Sequence, residues 1–131
     1  MSNAVAQREF LLKTGEIVTV SICAPVRLDN GDYKCICEST GFSGLIVPEA
    51  RGVDSLQALI IAIELLRKAL KPYGAEISSS GIKGSGIPLI PLGAYLIDQE
   101  FSGETERLVE AQVERRSLEF IERKKGTPQK L

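Results

Sequence analysis

Between Ile17 and Leu28 apolar and polar residues alternate. Val18, Val20, Ile22, Ala24, Val26 and Leu28 share one parity, while Thr19, Ser21, Cys23 and Arg27 share the other. A period of two belongs to a strand with one buried face. Asp29-Asn30-Gly31-Asp32 comes next. Asn-Gly between apolar runs favours a type I′ hairpin turn, whose two central residues both need positive φ. With Asn30 and Gly31 as the loop, Leu28 opposes Tyr33, Val26 opposes Cys35 and Ala24 opposes Cys37. That register keeps these residues on the apolar face and puts Lys34 and Glu38 on the other. Pro25 has no N–H for a ladder, so a bulge or a missing bond is expected there, and a bulge would alter the pairing beyond it.

Upstream, Arg8 to Leu12 predicts a first strand. Lys13-Thr14-Gly15 predicts a three-residue loop with Gly15 left-handed, which sets Phe10 opposite Val18 and Leu12 on the same core face. Downstream, Gly41 to Gly44 reads as a loop, and Leu45-Ile46-Val47 as a short strand stopped by Pro48. Together these make a four-stranded antiparallel meander.

The period then changes to that of a helix. Asp54 is a good N-cap, with Gln57 three residues on as in a capping box and Val53 at the staple position. Leu56, Leu59, Ile60, Ile63, Leu66 and Leu70 follow helical spacing, and Ile61, Ala62 and Leu65 widen the stripe beyond one face. Glu64 is the first polar break. Arg67, Lys68 and Lys71 suit the carboxyl end, and Pro72 and Gly74 end the helix. A helix this apolar needs the sheet on one side and a second cover on the other.

Residues 78–86, Ser-Ser-Ser-Gly-Ile-Lys-Gly-Ser-Gly, have the composition of a flexible loop. Ile87 to Leu92 is apolar but interrupted by Pro88 and Pro91, and reads as an extended packing segment. A last helix is expected from about Gly103 to Lys125, capped by Ser102. Glu104, Glu106 and Glu110 lie near its start, and Arg115, Arg116, Arg123, Lys124 and Lys125 near its end, which matches the macrodipole. Its apolar set is thin: Leu108, Val109, Ala111, Val113, Leu118, Phe120 and Ile121. The tail from Gly126 is expected to fray. The fold class is therefore α+β: the meander covered by one apolar helix, plus a long charged C-terminal helix. Residues 1–97 form the core domain and 98–131 a helical extension of the same domain or a dimerisation arm.

Composition narrows the chemistry. The chain has 131 residues, 44% apolar and 25% charged, which suits one globular domain. Sixteen bases against 17 acids leave a net charge of −1. Bulk electrostatics thus favours no nucleic-acid partner. The chain contains no His, which removes Ser-His-Asp and Cys-His catalysis and His metal ligation. No catalytic motif stands out, and a non-enzyme without cofactor is expected. Three cysteines, Cys23, Cys35 and Cys37, make no disulfide framework. Cys35 and Cys37 share a strand face and read as buried thiols, with no metal site. Cys23 has the opposite parity, and its reactivity depends on its exposure. No apolar run is long enough to span a bilayer and no signal peptide is apparent, so a cytoplasmic protein without a membrane partner is expected.

Arg51-Gly52-Val53-Asp54-Ser55-Leu56-Gln57-Ala58-Leu59, placed after a meander, resembles a family of small bacterial proteins known as a domain of unknown function of the DUF6968 type. The resemblance covers about residues 8–92. It implies a bacterial source and this fold, and it implies no activity. The charged helix after Ser102 departs from the family pattern. The motif also has a sufficient structural reading as turn, cap, capping partner and core.

Two functions of different class remain. The first is a non-enzymatic protein-interaction module, homodimeric or with a protein partner, using the terminal helix through Leu118, Phe120 and Ile121. It is immunity-protein-like or antitoxin-like by analogy of size and compartment alone. On the same helix Glu119 and Arg123 are spaced for a favourable i,i+4 pair. The second is a small-molecule or anion-binding domain using loop 78–86, with Arg51 and Lys83 as anion contacts. That loop lacks the Gly-Lys-Ser/Thr ending of a phosphate-binding loop.

Overall fold

The computed structural model describes residues 3–90 and 99–126. The chain forms two compact units, Met1–Ile90 and Pro91–Leu131. The expected boundary at 97/98 and the expected frayed end beyond Gly126 lie outside the described residues.

The first unit is α+β, with eight strands among the described residues, in two antiparallel sheets. Strands β1 (Ala4–Leu12), β2 (Ile17–Cys23), β5 (Cys37–Thr40), β7 (Ile77–Ser79) and β8 (Ile82–Lys83) form one sheet in the order β5-β2-β1-β7-β8. Strands β3 (Val26–Arg27), β4 (Tyr33–Cys35) and β6 (Ala50–Gly52) form the other in the order β3-β4-β6.

The β1–β2 hairpin has the register expected from its loop. Phe10 opposes Val18, the Leu12 N–H donates to the Glu16 carbonyl at 2.8 Å, and Gly15 has a φ of 92°. Phe10, Val18, Val20 and Ile22 are buried, as the alternation requires.

Beyond Cys23 the pairing departs from the meander. Pro25 cannot donate, and the chain leaves the first sheet there; β3 belongs to the second. The turn at Asp29-Asn30-Gly31 is a three-residue loop and not a two-residue one. Only Gly31 takes positive φ, at 91°, and the Leu28 N–H bonds to the Asp32 carbonyl. This is the turn with a left-handed glycine, in which Asn30 stays in the ordinary region. The register therefore slips by one, pairing Val26 with Lys34 and Arg27 with Tyr33. Val26 is consequently exposed, whereas Cys35 stays buried against Ala50 of β6. The opposing strand divides too. Ile36 lies between β4 and β5, and its carbonyl accepts from the Cys23 N–H before the chain returns to the first sheet as β5. Leu45-Ile46-Val47 forms no strand. Ile46 is exposed, and pairing resumes only at Ala50.

Helix α1 (Ser55–Leu70) begins where its cap predicts. The Asp54 carboxylate accepts from the Gln57 N–H at 2.7 Å. The Gln57 side chain accepts from the Val53 N–H, one residue before the usual capping-box position. Val53 makes no staple, since it is largely exposed. Gly52 allows the close approach of β6 to this helix start: a Cβ there would lie 2.5 Å from the Ala58 nitrogen. Ala58, Ala62, Leu66 and Leu70 then face the core with Phe10, Val18, Val20, Cys35 and Ile77.

Residues 78–86 are ordered into a hairpin. Ser80 and Gly81 have φ of 52° and 79°, the two left-handed residues of a type I′ turn, and Ser79 opposes Ile82. A serine-rich stretch thus closes one edge of the larger sheet. In the second unit, helix α2 spans Gln99–Gly126 and begins four residues before Gly103.

Candidate functional site

The two proposed anion contacts lie in different sheets. Arg51 is the central residue of β6, and its guanidinium pairs with Glu49 at 2.9 Å. Lys83 ends β8 at the far edge of the larger sheet and is exposed.

The cysteines sit where the two sheets part. Cys35 is buried and its thiol donates to the Cys23 carbonyl at 3.2 Å. Cys37 is half-buried, with its thiol 3.8 Å from the Ala62 carbonyl. Burial is the main cause that pushes all three thiols up, with Cys37 reaching about 12. At Cys23 the Glu38 carboxylate adds its charge and its acceptor oxygen to the same effect. A thiol held protonated is a poor nucleophile and a poor metal ligand. Among the described residues no group of three or more Cys, Asp or Glu is placed to hold a metal. Cys23 also lines a half-open cavity of about 200 Å³ with Asn3, Ala24, Val26, Lys34, Ile36 and Glu38. That is below the roughly 300 Å³ at which ligand pockets ordinarily start.

Glu64 is the functional-looking residue that periodicity did not single out. It is 2% exposed and the only buried charged residue among those described. Its carboxylate accepts from Arg67 Nε at 3.0 and 3.1 Å and from Arg67 Nη2 at 2.5 Å. It also accepts from the Ile90 N–H at 3.0 Å. These bonds, chiefly the one from Arg67, outweigh desolvation and hold the carboxyl below the usual glutamate range. The sequence did contain a signal. Glu64 is two residues from both Ala62 and Leu66, which is about 200° of helix rotation from each. It therefore lies on the side of α1 turned away from the sheet, and its burial demands the second cover that the apolar helix also demands. The segment ending at Ile90 supplies a partner on that side, and Ile87 packs against the core.

On α2 the three proposed interface residues Leu118, Phe120 and Ile121 are about half exposed. At about 100° per residue they do not form one stripe. Phe120 aligns with Val109 and Val113, Ile121 flanks them, and Leu118 lies on the other side with Leu108. Gln112, Val113, Arg116, Ser117, Phe120 and Ile121 line one broad shallow face. Lys124 stands over the Phe120 ring at 5.2 Å, and Glu119 pairs with Arg115 at 3.6 Å. Among the described residues no helix is long and apolar enough to cross a membrane.

No curated protein and no solved structure matches the chain. A family model does match, over residues 6–82, which takes in most of both sheets and all of α1 and ends before Ile90 and α2. With more than half of its length matched, the chain belongs to the family described as Domain of unknown function (DUF6968).

Proposed function

We propose that this is a non-enzymatic interaction module of the bacterial cytoplasm that self-associates through α2. The observation behind the reading is that Val109, Val113 and Phe120, aligned on one face of the helix and flanked by Ile121, are between 48% and 58% exposed. Contiguous exposed apolar area marks an interaction surface, whereas singly scattered apolar residues do not. The charge pattern favours a second copy as the occupant. Residues 99–112 carry four Glu and one Arg, while 113–126 carry three Glu, three Arg and two Lys. Two antiparallel copies set the acidic half of one against the basic half of the other, which steers that orientation and disfavours the parallel one. Arg51 is already neutralised by Glu49, which weakens the anion-binding alternative.

Light scattering on the full chain tests this. The expected mass is twice the 14.2 kDa of one chain, falling to one chain on Val113→Glu with Phe120→Glu. A native monomer at every concentration, or a dimer indifferent to the double substitution, sinks the proposal.

A further inference from the structure

The stretch that follows β8 is held at two places by charged groups from different elements. At its start the Arg8 guanidinium of β1 donates to the Ser85 carbonyl at 2.8 Å. The contact is close: a Cβ on Gly86, whose φ is 68°, would lie 2.9 Å from Arg8 Nη1. At its end the Ile90 N–H donates to Glu64 Oε2 at 3.0 Å. Between them the Ile87 N–H donates to Ser85 Oγ at 3.2 Å. Among the described residues no strand pairs with this stretch, and Pro88 has no N–H to offer one. A segment tied down by side chains in place of a ladder opens at lower free energy than the elements around it.

We propose that Ser85–Ile90 is a strap, held by charge-assisted hydrogen bonds at Arg8 and Glu64, that opens as one unit and returns the buried Glu64 carboxylate to solvent. Glu64 is the positioning residue of the second clasp. Arg67, three residues on, aims its carboxylate and keeps it charged, so the Ile90 N–H meets a full negative charge in a buried place. The Lys68 charge acts in the same direction, and Ile87, Pro88, Leu89 and Ile90 bring no titratable group to it. The strap lies beyond the residues that match the family, and it does not depend on self-association of α2.

Hydrogen exchange on the full chain tests the strap, read at the amides of Ile87 and Ile90. Both are expected to be protected in the native chain. Glu64→Ala is expected to speed both by about tenfold or more while the amides of Phe10 and Val20 keep their rates. Arg67→Met, which leaves the carboxylate in place, is expected to act in the same direction and decides the matter if Glu64→Ala fails to fold. A rise confined to Ile90 reduces the clasp to a single local bond and overturns the strap. So does an Ile90 amide that exchanges at its unstructured rate in the native chain.

Discussion

Helices α1 and α2 differ in where their apolar side chains end up. In α1 the residues Ala58, Ala62, Leu66 and Leu70 are all buried, and even a charged residue, Glu64, is taken out of water. In α2, which is almost twice as long, Leu108, Val109, Val113, Leu118, Phe120 and Ile121 stay exposed. Composition accounts for much of this. Helix α1 is apolar on nearly every side and can only exist between two covers. Helix α2 distributes a few apolar residues around a charged surface and is supported by acidic residues early and basic residues late. The first helix belongs to the folding core, and the second leaves its apolar side chains at the surface.

The sharpest way to break this comparison is to truncate one leucine in each helix. Leu70→Ala should cost about 2–5 kcal/mol, since it leaves a cavity in a closed core. Leu118→Ala should change unfolding by about 0.5 kcal/mol or less at concentrations where the chain is a monomer. Denaturant titration of both variants checks the pair, and equal losses would place α2 in the core. Next in size is Gly52→Ala, where the new methyl must push the helix start away from β6; a loss of about 1–3 kcal/mol is expected in the same titration. Asp54→Ala removes the cap that α1 relies on and should cost roughly 1 kcal/mol, and Asp54→Ser should retain most of it.

A smaller effect depends on pH. The Glu64 carboxyl is held below its ordinary range in the folded chain, so its contribution to stability is complete above the unfolded glutamate value. It is lost as pH falls through the lowered folded value. Glu64→Gln should therefore flatten the acid limb of stability against pH, measured by denaturant titration across that range. Smallest is Ser80→Asn in the type I′ turn. Asn tolerates the left-handed region better than Ser, and a gain of a few tenths of a kcal/mol is expected by thermal unfolding.

Legibility in the sequence followed the range of the interaction. The Lys13-Thr14-Gly15 loop, the Asp54 cap and the helical period of α1 depend on neighbours within a few residues, and each is where its local chemistry places it. The Asn30-Gly31 turn shows how little separates two local solutions. Both turn types accept this sequence, and the choice moves the whole register by one, which decides whether Val26 or its neighbours face inward. Pro25 announced a break without saying that the far side of it would join another sheet. The Ser80-Gly81 turn was hidden by composition, because serine gives little sign of a left-handed residue.

By itself the sequence determined the class of the fold, the start of α1, the β1–β2 register and the absence of histidine chemistry, since these rest on local conformational preference and on composition. Only the tertiary structure decided that the strands divide between two sheets, that Arg51 and Lys83 lie apart, and that a glutamate on the outer side of α1 is closed in with Arg67 and the Ile90 amide. Those outcomes depend on contacts between residues far apart in the chain. Burial of a charge in particular depends on what packs over it, and periodicity along one helix records nothing of that.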